Sequence, residues 1–389
     1  MKSNYEALGK HIRLVDYRNS EQVSNNVLGI SIDKEFMPSV ANVIGTDLSR
    51  YKLISKGLFA CNPMHVGRDE RLPIALYEKD SPAIVSPAYF MFEIIDRDVL
   101  NEEYLMMWFR RPEFDRECWF MTDGSVRGGI TWDDLCRIKL PVPSYARQCE
   151  IVESYRAITD RIALKRAEND NLEATAQAVF QEQFASFYGA DELPDGYRII
   201  NLDNLCTVKG GKRLPADCKL LDTPTDHPYI RVRDVGSNRY VCLTNQFQYI
   251  DEETYSAISR YIVNTGDIVI SIVGTIGLLG KIHSSLDKAN LTENCVKLAN
   301  IHTVTSDYLY YTLCYKKQIK EIDLLTVGAV QAKLPMYNIQ SMKILVPPTK
   351  AIEAFQRKMN VLNEQIEANT VEIQKLYELE EVLLAKLSD

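Results

Sequence analysis

Positive charge gathers in one stretch of this chain. Between residues 205 and 240 stand Lys209, Lys212, Arg213, Lys219, Arg231, Arg233 and Arg239, against Asp217, Asp222, Asp226 and Asp234. Lys and Arg at that density meet phosphate oxygens, and an arginine pairs bidentately with a guanine edge. Gly210-Gly211-Lys212-Arg213 reads as a flexible basic loop suited to approaching a phosphate backbone, and Asn238-Arg239-Tyr240 as a polar turn carrying an aromatic. Gln331 and Lys333 fall in a turn ahead of a long helical stretch, with Arg127 at the matching place earlier in the chain. Asn and Gln pair with adenine as Arg does with guanine. Arg68 and Arg71 are the corresponding cations of the N-terminal block. A solvated charged face would carry the same residues, so charge alone leaves both readings open.

The motifs of catalysis are missing. Gly274, Gly277 and Gly280 are spaced G-x-x-G-x-x-G, not G-x-G-x-x-G, and fit a hairpin or close strand packing better than a dinucleotide site. Gly210-Gly211-Lys212 resembles the end of a P-loop, but Arg213 replaces the Ser or Thr that ligates magnesium, and Cys206 replaces the first glycine. His11, His65, His227, His283 and His302 form no H-x-x-x-H pair. Asn62-Pro63-Met64 lacks the second proline and the aromatic of an adenine-methyltransferase motif. A binding and scaffolding role is therefore expected, with no catalytic residue, no metal and no cofactor on this chain.

The chain has 389 residues, 46% hydrophobic and 25% charged, with a net charge of −8. That is the composition of a globular chain of two to three domains, not a disordered one. The nine cysteines contain no Cys-x-x-Cys pair and read as reduced, buried thiols. The N-terminus lacks the apolar core of a signal peptide and no apolar run approaches the roughly 18 residues of a membrane span, so a cytoplasmic protein is expected. Overall acidity opposes polyanion binding unless the basic residues cluster. The helical stretch 349–389, with five basic against eight acidic residues, takes up part of the acidity.

The elements that position these residues come from a repeat. Shifted by 204, Glu103-Tyr104-Leu105 falls on Asp307-Tyr308-Leu309, Gly124-Ser125-Val126 on Gly328-Ala329-Val330, and Val142-Pro143 on Val346-Pro347. The register holds from about 102–185 against 306–389, each time after a dissimilar block. Those blocks read as mixed α and β. Tyr229–Val235 alternates as a half-buried strand, Thr265-Gly266-Asp267 is a turn and Ile268–Val273 a buried strand, with helices near 102–117 and 306–322.

Each repeat ends in a long helix. Beyond Pro141-Val142-Pro143, apolar positions recur at Ile151, Tyr155, Ile158, Ile162, Leu172, Ala176 and Val179. Beyond Pro347-Pro348 they recur at Phe355, Met359, Leu362, Ile366, Ile373, Leu376, Leu383 and Leu387. The steps of four and three are a coiled-coil seam, with Gly and Pro absent from 144–188 and 349–389. Lys165, Asn169 and Asn369 interrupt it; polar seam residues either fix register or face solvent. The fold class expected is α+β, with two mixed α/β domains, 1–143 and 189–347, separated by two long antiparallel helices, 144–188 and 348–389, as an internal pseudo-twofold repeat.

This layout resembles the specificity subunit of type I restriction–modification systems. The likeness rests on Ile138-Lys139-Leu140-Pro141-Val142-Pro143, Gln148, Ile151, Ile162, Leu172–Phe180, Tyr229–Val235, Gly266-Asp267-Ile268-Val269 and Gly274-Thr275-Ile276-Gly277. It departs at Ile352, where the first repeat has Gln148, and at His65-Val66-Gly67-Arg68, where the first block lacks the Gly-Thr-Ile-Gly element. The resemblance implies that each block is a target recognition domain reading half of a split site in double-stranded DNA. It implies that the helices set the gap and dock methyltransferase subunits, which carry S-adenosylmethionine. Restriction subunits, using ATP and magnesium, would join them. The alternatives are the DNA-recognition module of another defence methylation system, or a coiled-coil adaptor that binds only proteins.

Overall fold

Asn101 and Thr305 stand at the same place in the two repeats, and each starts a helix. The Asn101 side chain accepts from the backbone N–H groups of Glu103 and Tyr104, and that of Thr305 from Tyr308. Such caps satisfy donors that a first helical turn leaves without partners. From there the repeats run in step. Helices Glu102–Phe109, Pro112–Phe120 and Trp132–Arg137 answer Ser306–Cys314, Lys316–Leu325 and Met336–Ser341, and every pair begins 204 residues apart. Strand Lys139–Pro141 answers Lys343–Val346, and helix Tyr145–Phe184 answers Thr349–Ala385. Tertiary contacts keep the same offset: Tyr104 Oη donates to the Pro141 carbonyl at 3.1 Å, and Tyr308 Oη to that of Leu345 at 2.7 Å.

The computed structural model describes residues 5–39, 45–122, 128–190, 192–236, 239–244, 247–328 and 332–388. It divides into two units, 1–163 with 375–389, and 164–374. Each takes one mixed block and a part of both long helices.

The first unit holds two four-stranded sheets. One runs Ile12–Leu14, Phe90–Ile94, Phe59–Cys61, Ile74–Leu76; the other runs Phe36–Pro38, Val27–Ile30, Ala83–Val85, Lys52–Ile54. A short strand, Tyr5–Ala7, pairs antiparallel with Lys139–Pro141. Phe59 stacks on Phe92 with ring centroids 5.1 Å apart. Val152 and Tyr155 of the first long helix enter that core, as do Leu384 and Leu387 from the end of the second. Gln148 ties the first helix down: its side chain accepts from the Asn101 N–H and donates to the carbonyls of Val99 and Pro143.

The second unit holds a five-stranded sheet in the order Thr207–Gly210, Cys295–Ala299, Ile268–Ser271, Leu279–Ile282, Tyr240–Val241. A three-stranded sheet runs Gln248–Tyr249, Pro228–Ile230, Asn290–Leu291. Arg198–Asn201 pairs with Lys343–Val346, repeating the strand pair of the first unit. Phe180 and Phe184, at the end of the first long helix, pack against Tyr308 and Phe355. Ile352 sits in this apolar core where Gln148 of the first repeat makes hydrogen bonds.

Burial varies along the two apolar stripes of the long helices. Tyr155, Ile158, Ile162, Phe355, Met359 and Ile366 are buried; Ile151, Leu172, Leu362, Ile373 and Leu376 are half-buried. In the first unit Tyr155 Oη donates to Glu380 at 2.7 Å. In the second the polar seam residues bind one another. Asn369, 1% exposed, accepts from Lys165 and donates to Asn169, both at 2.9 Å. They turn inward, as register-fixing residues do, and not to solvent.

Two strand predictions shorten. Tyr229–Val235 is not one strand: pairing ends at Ile230, and Val232–Asp234 forms a 3-10 turn. Asp234 causes the break by accepting from the backbone N–H and the guanidinium of Arg231. Ile268–Val273 ends as a strand at Ser271, whose hydroxyl donates to the Thr275 carbonyl and accepts from the Leu278 N–H. Gly274 and Gly277 close that hairpin at φ +83° and +80°, a conformation glycine adopts without strain. A Cβ on Gly280 would fall 2.5 Å from Val241, so the third glycine serves close packing. All nine cysteines are free thiols, and burial pushes Cys206 and Cys295 up to about 12. Among the described residues no helix is long and apolar enough to cross a membrane.

Candidate nucleic-acid interface

An open groove of about 430 Å³ lies on the second unit. Three arginines line it, Arg213, Arg231 and Arg233, together with Tyr229, Leu214, Leu220, Val232, Thr292, Glu293 and Asn294. They arrive from separate parts of the sequence because Pro228–Ile230 pairs parallel with Asn290–Leu291, while the segment after strand Thr207–Gly210 hydrogen-bonds to the same region.

The arginines are held differently. Arg231 is a strut. Its guanidinium donates to both carboxylate oxygens of Asp234, at 2.8 and 2.9 Å, and to Gln248, which in turn donates to Asp222 at 2.7 Å. Its side chain is only 14% exposed. The 3-10 turn it braces projects Arg233 outward, 64% exposed. Arg213 is 81% exposed and donates to Glu293 at 2.7 Å, a bond that raises its guanidinium pKa further. Burial pushes the Tyr229 phenol up; its hydroxyl donates to the Lys212 carbonyl at 2.8 Å. The groove therefore offers two outward cations on a braced frame, an aromatic wall and a carboxylate. That set can grip a polyanion and donate to or accept from base edges.

Comparison with known proteins agrees with this chemistry. Residues 194–382 match the family model for the type I restriction modification DNA specificity domain. The chain is 22% identical over 314 residues to the type I restriction enzyme MjaIX specificity subunit of Methanocaldococcus jannaschii, covering 76% of this chain and 70% of that one. It is 21% identical over 326 residues to the type I restriction enzyme HindI specificity subunit of Haemophilus influenzae, covering 66% and 70%. Residues 194–382, just under half of the chain, thus carry the signature of a type I restriction modification DNA specificity domain. The fold of the chain is similar to the crystal structure of a type I restriction–modification system S subunit from M. genitalium, with a TM-score of 0.50 and 13% identity, over 99% of this chain and 96% of that one.

In this specificity-subunit fold the residues expected to meet DNA part company. Arg213, Arg231 and Arg233 share the groove. Lys212 is exposed next to Arg213, its Nζ 5.7 Å from the Tyr261 ring centroid. Lys209 is exposed on its strand, and Lys333 is exposed where it bridges Val273 and Val327. In the first unit Arg68 pairs with Asp69, and Arg71 lies 3.5 Å from Asp33. Asn238, Gln331 and Arg127 lie outside the described residues.

Arg239 is a correction. Its side chain is 2% exposed and binds Asp307 and Asn363, beneath the rings of Tyr240, Tyr310 and Tyr311. Its charge is spent inside the protein and is not offered to a duplex. The basic loop Gly210–Arg213 is likewise pinned, not flexible: the Gly211 and Lys212 N–H groups donate to the carbonyls of Cys295 and Leu291.

Sequence reasoning misses Glu293, Asn294 and Thr292 as groove residues. They stand some 80 positions beyond Arg213 and enter only through sheet pairing. The Thr-Glu-Asn run is a polar interruption after the apolar strand that contains Leu291, and that is the one signal the sequence carried.

Proposed function

We propose that this chain is the DNA-reading subunit of a type I restriction–modification assembly. Each mixed block contacts one half of a split duplex site through the major groove, and the length of the long helices sets the gap between the halves. Their outer faces take modification subunits, which carry S-adenosylmethionine. Restriction subunits, using ATP and magnesium, join through those. This chain contributes recognition and performs no chemistry itself, and it works in the cytoplasm on host and incoming DNA.

The observation that carries this reading is the groove with Arg213 and Arg233 outward and Arg231 as their brace, whose lining residues fall within the matched specificity domain. Exposed guanidinium groups on a rigid frame suit phosphate contact and guanine recognition, where holding a donor in place counts as much as supplying it. The repeat adds its own support. Two blocks mounted by the same short helices, strand pair and long helix suit a target made of two half-sites.

The test is base-modification-resolved sequencing of host DNA with the gene intact and deleted. A split motif of methylated adenines that disappears on deletion is the expected result. Unchanged methylation in cells expressing the whole assembly, together with no salt-sensitive binding of duplex DNA by the purified complex, would refute the reading.

A further inference from the structure

Among the described residues Glu293 is the one acid lining a groove otherwise furnished with arginines. A carboxylate beside phosphates repels them, so it works against the sequence-independent attraction that arginines supply. Yet its placement is rigid. A Cβ on Gly211 would fall 2.1 Å from the Thr292 carbonyl oxygen and 2.3 Å from that of Leu291, so the two backbones touch and only glycine fits. The N–H groups of Gly211, Lys212 and Thr292 donate to the carbonyls of Cys295, Leu291 and Ile230 at 3.0, 2.8 and 3.0 Å. The backbone on either side of Glu293 is clamped by both segments that build the groove.

The side chain is poised, not buried. It is 31% exposed; Oε1 accepts from Arg213 Nε at 2.7 Å and Oε2 from Thr292 Oγ1 at 3.1 Å. Each carboxylate oxygen has two lone pairs, so acceptor capacity remains toward the open side. Arg213, at 81% exposed, can leave for a phosphate without disturbing the backbone. In the major groove cytosine presents its N4 amino donor, adenine an amino donor beside the N7 acceptor, and guanine and thymine present acceptors. An acceptor-only side chain complements cytosine best: adenine's amino donor comes with an N7 acceptor that repels a carboxylate, and guanine and thymine offer acceptors alone.

Resting on the DNA-reading role above, we propose that Glu293 selects cytosine in the half-site served by the second unit, with Arg213 holding its carboxylate in place until a phosphate takes the guanidinium. The complete complex with its modification subunits would methylate a library in which that half-site is randomised, using wild type, E293Q and R213A. E293Q, close in shape but able to donate, should lower the preference for cytosine at one position by at least about tenfold, as expected for a hydrogen bond to a charged group. R213A should weaken binding to all sequences alike and reduce the salt slope by about one, leaving the cytosine preference intact. E293A, checked for unchanged melting, repeats the test without the amide's donors. A wild-type motif retained at every position in both Glu293 variants would overturn the proposal and leave Glu293 as an anchor for Arg213, with DNA reading intact. A wild-type complex that selects no motif at all would overturn the DNA-reading role and this proposal with it.

Discussion

Asp307 and Glu103 occupy the same position of the two repeats, and their substitution should have very different consequences. Asp307 is 3% exposed and accepts from Arg239, from Lys281 at 2.6 Å, and from Gln356 and Asn363 at 2.7 Å each. Burial alone would push its carboxyl up, but Lys281 and Arg239 outweigh it and hold it down at about 2. Relative to an ordinary 3.8, that corresponds to about 2 kcal/mol in favour of the ionised form at neutral pH. Asp307→Asn keeps one acceptor but leaves Arg239 and Lys281, 2% and 13% exposed, facing each other. Glu173, the nearest remaining acid, compensates poorly because burial raises its own pKa. Removing one partner of such a cluster costs about 3–5 kcal/mol, a large share of the roughly 5–15 kcal/mol that holds a domain folded. Glu103 instead meets Arg156 with both side chains partly exposed, 31% and 58%, so Glu103→Gln should cost no more than about 1 kcal/mol. Urea titration with hydrogen exchange reports the two units separately. Strand Cys295–Ala299 and helix Ser306–Cys314 should lose protection in D307N, while E103Q stays near wild type. A D307N cost below about 1 kcal/mol would refute the claim that this cluster holds the second block to its helix.

Three further outcomes follow from the same geometry. The stability gap between wild type and D307N should be full above about pH 4 and close as pH falls toward 2, because a depressed carboxyl gives up its contribution as it protonates through its folded pKa; acid denaturation curves read this directly. Gly211→Ala should cost about 2–3 kcal/mol or more, since its Cβ meets two carbonyl oxygens, whereas Gly210→Ala, with nothing within 4 Å of its Cβ, should melt close to wild type. Arg233→Ala should lower duplex affinity and the salt slope by about one without changing the melting temperature. Arg231→Ala should lower the melting temperature as well, because Asp234 and Gln248 lose their partner.

The long helices were legible in the sequence because their signals are local. Prolines stop the chain before each long helix and the seam repeats within a few residues, whereas the caps Asn101 and Thr305, equally local, went unread. The short helices were read less well: the single stretches expected near 102–117 and 306–322 each break in two, at Arg110-Arg111 and at Tyr315, and Trp132–Arg137 and Met336–Ser341 were not read. The groove was legible only as a charge count. That count brought in Arg213, Arg231 and Arg233, but it also admitted Arg239, because charge says nothing about depth. Burial of Arg239 depends on Asp307 and Asn363, which join it only through tertiary packing. Glu293 was invisible for the converse reason: acids were weighed as opposition to binding, and this one reaches the groove from a distant strand.

Position in the repeat conserves architecture without conserving chemistry. Tyr104 and Tyr308 bond the same carbonyl position, so the mounting of helix on strand is common to both units. Gln148 and Ile352 share a position, yet one satisfies the backbone of Val99, Asn101 and Pro143 while the other fills an apolar core. Glu103 and Asp307 share one too, yet only the second is sealed beneath Tyr310 and Tyr311 with Arg239. A block joined through an exposed ion pair can exchange that pair cheaply, since such pairs are worth little. A block joined through a buried cluster can change it only as a set, because any single loss leaves a charge without a partner. Replacement of recognition blocks by recombination should therefore succeed at the second unit only when Arg239, Lys281 and Asp307 travel together with Gln356 and Asn363 of the long helix. A chimera that splits this set and still folds with wild-type protection would show that the helix accepts any block.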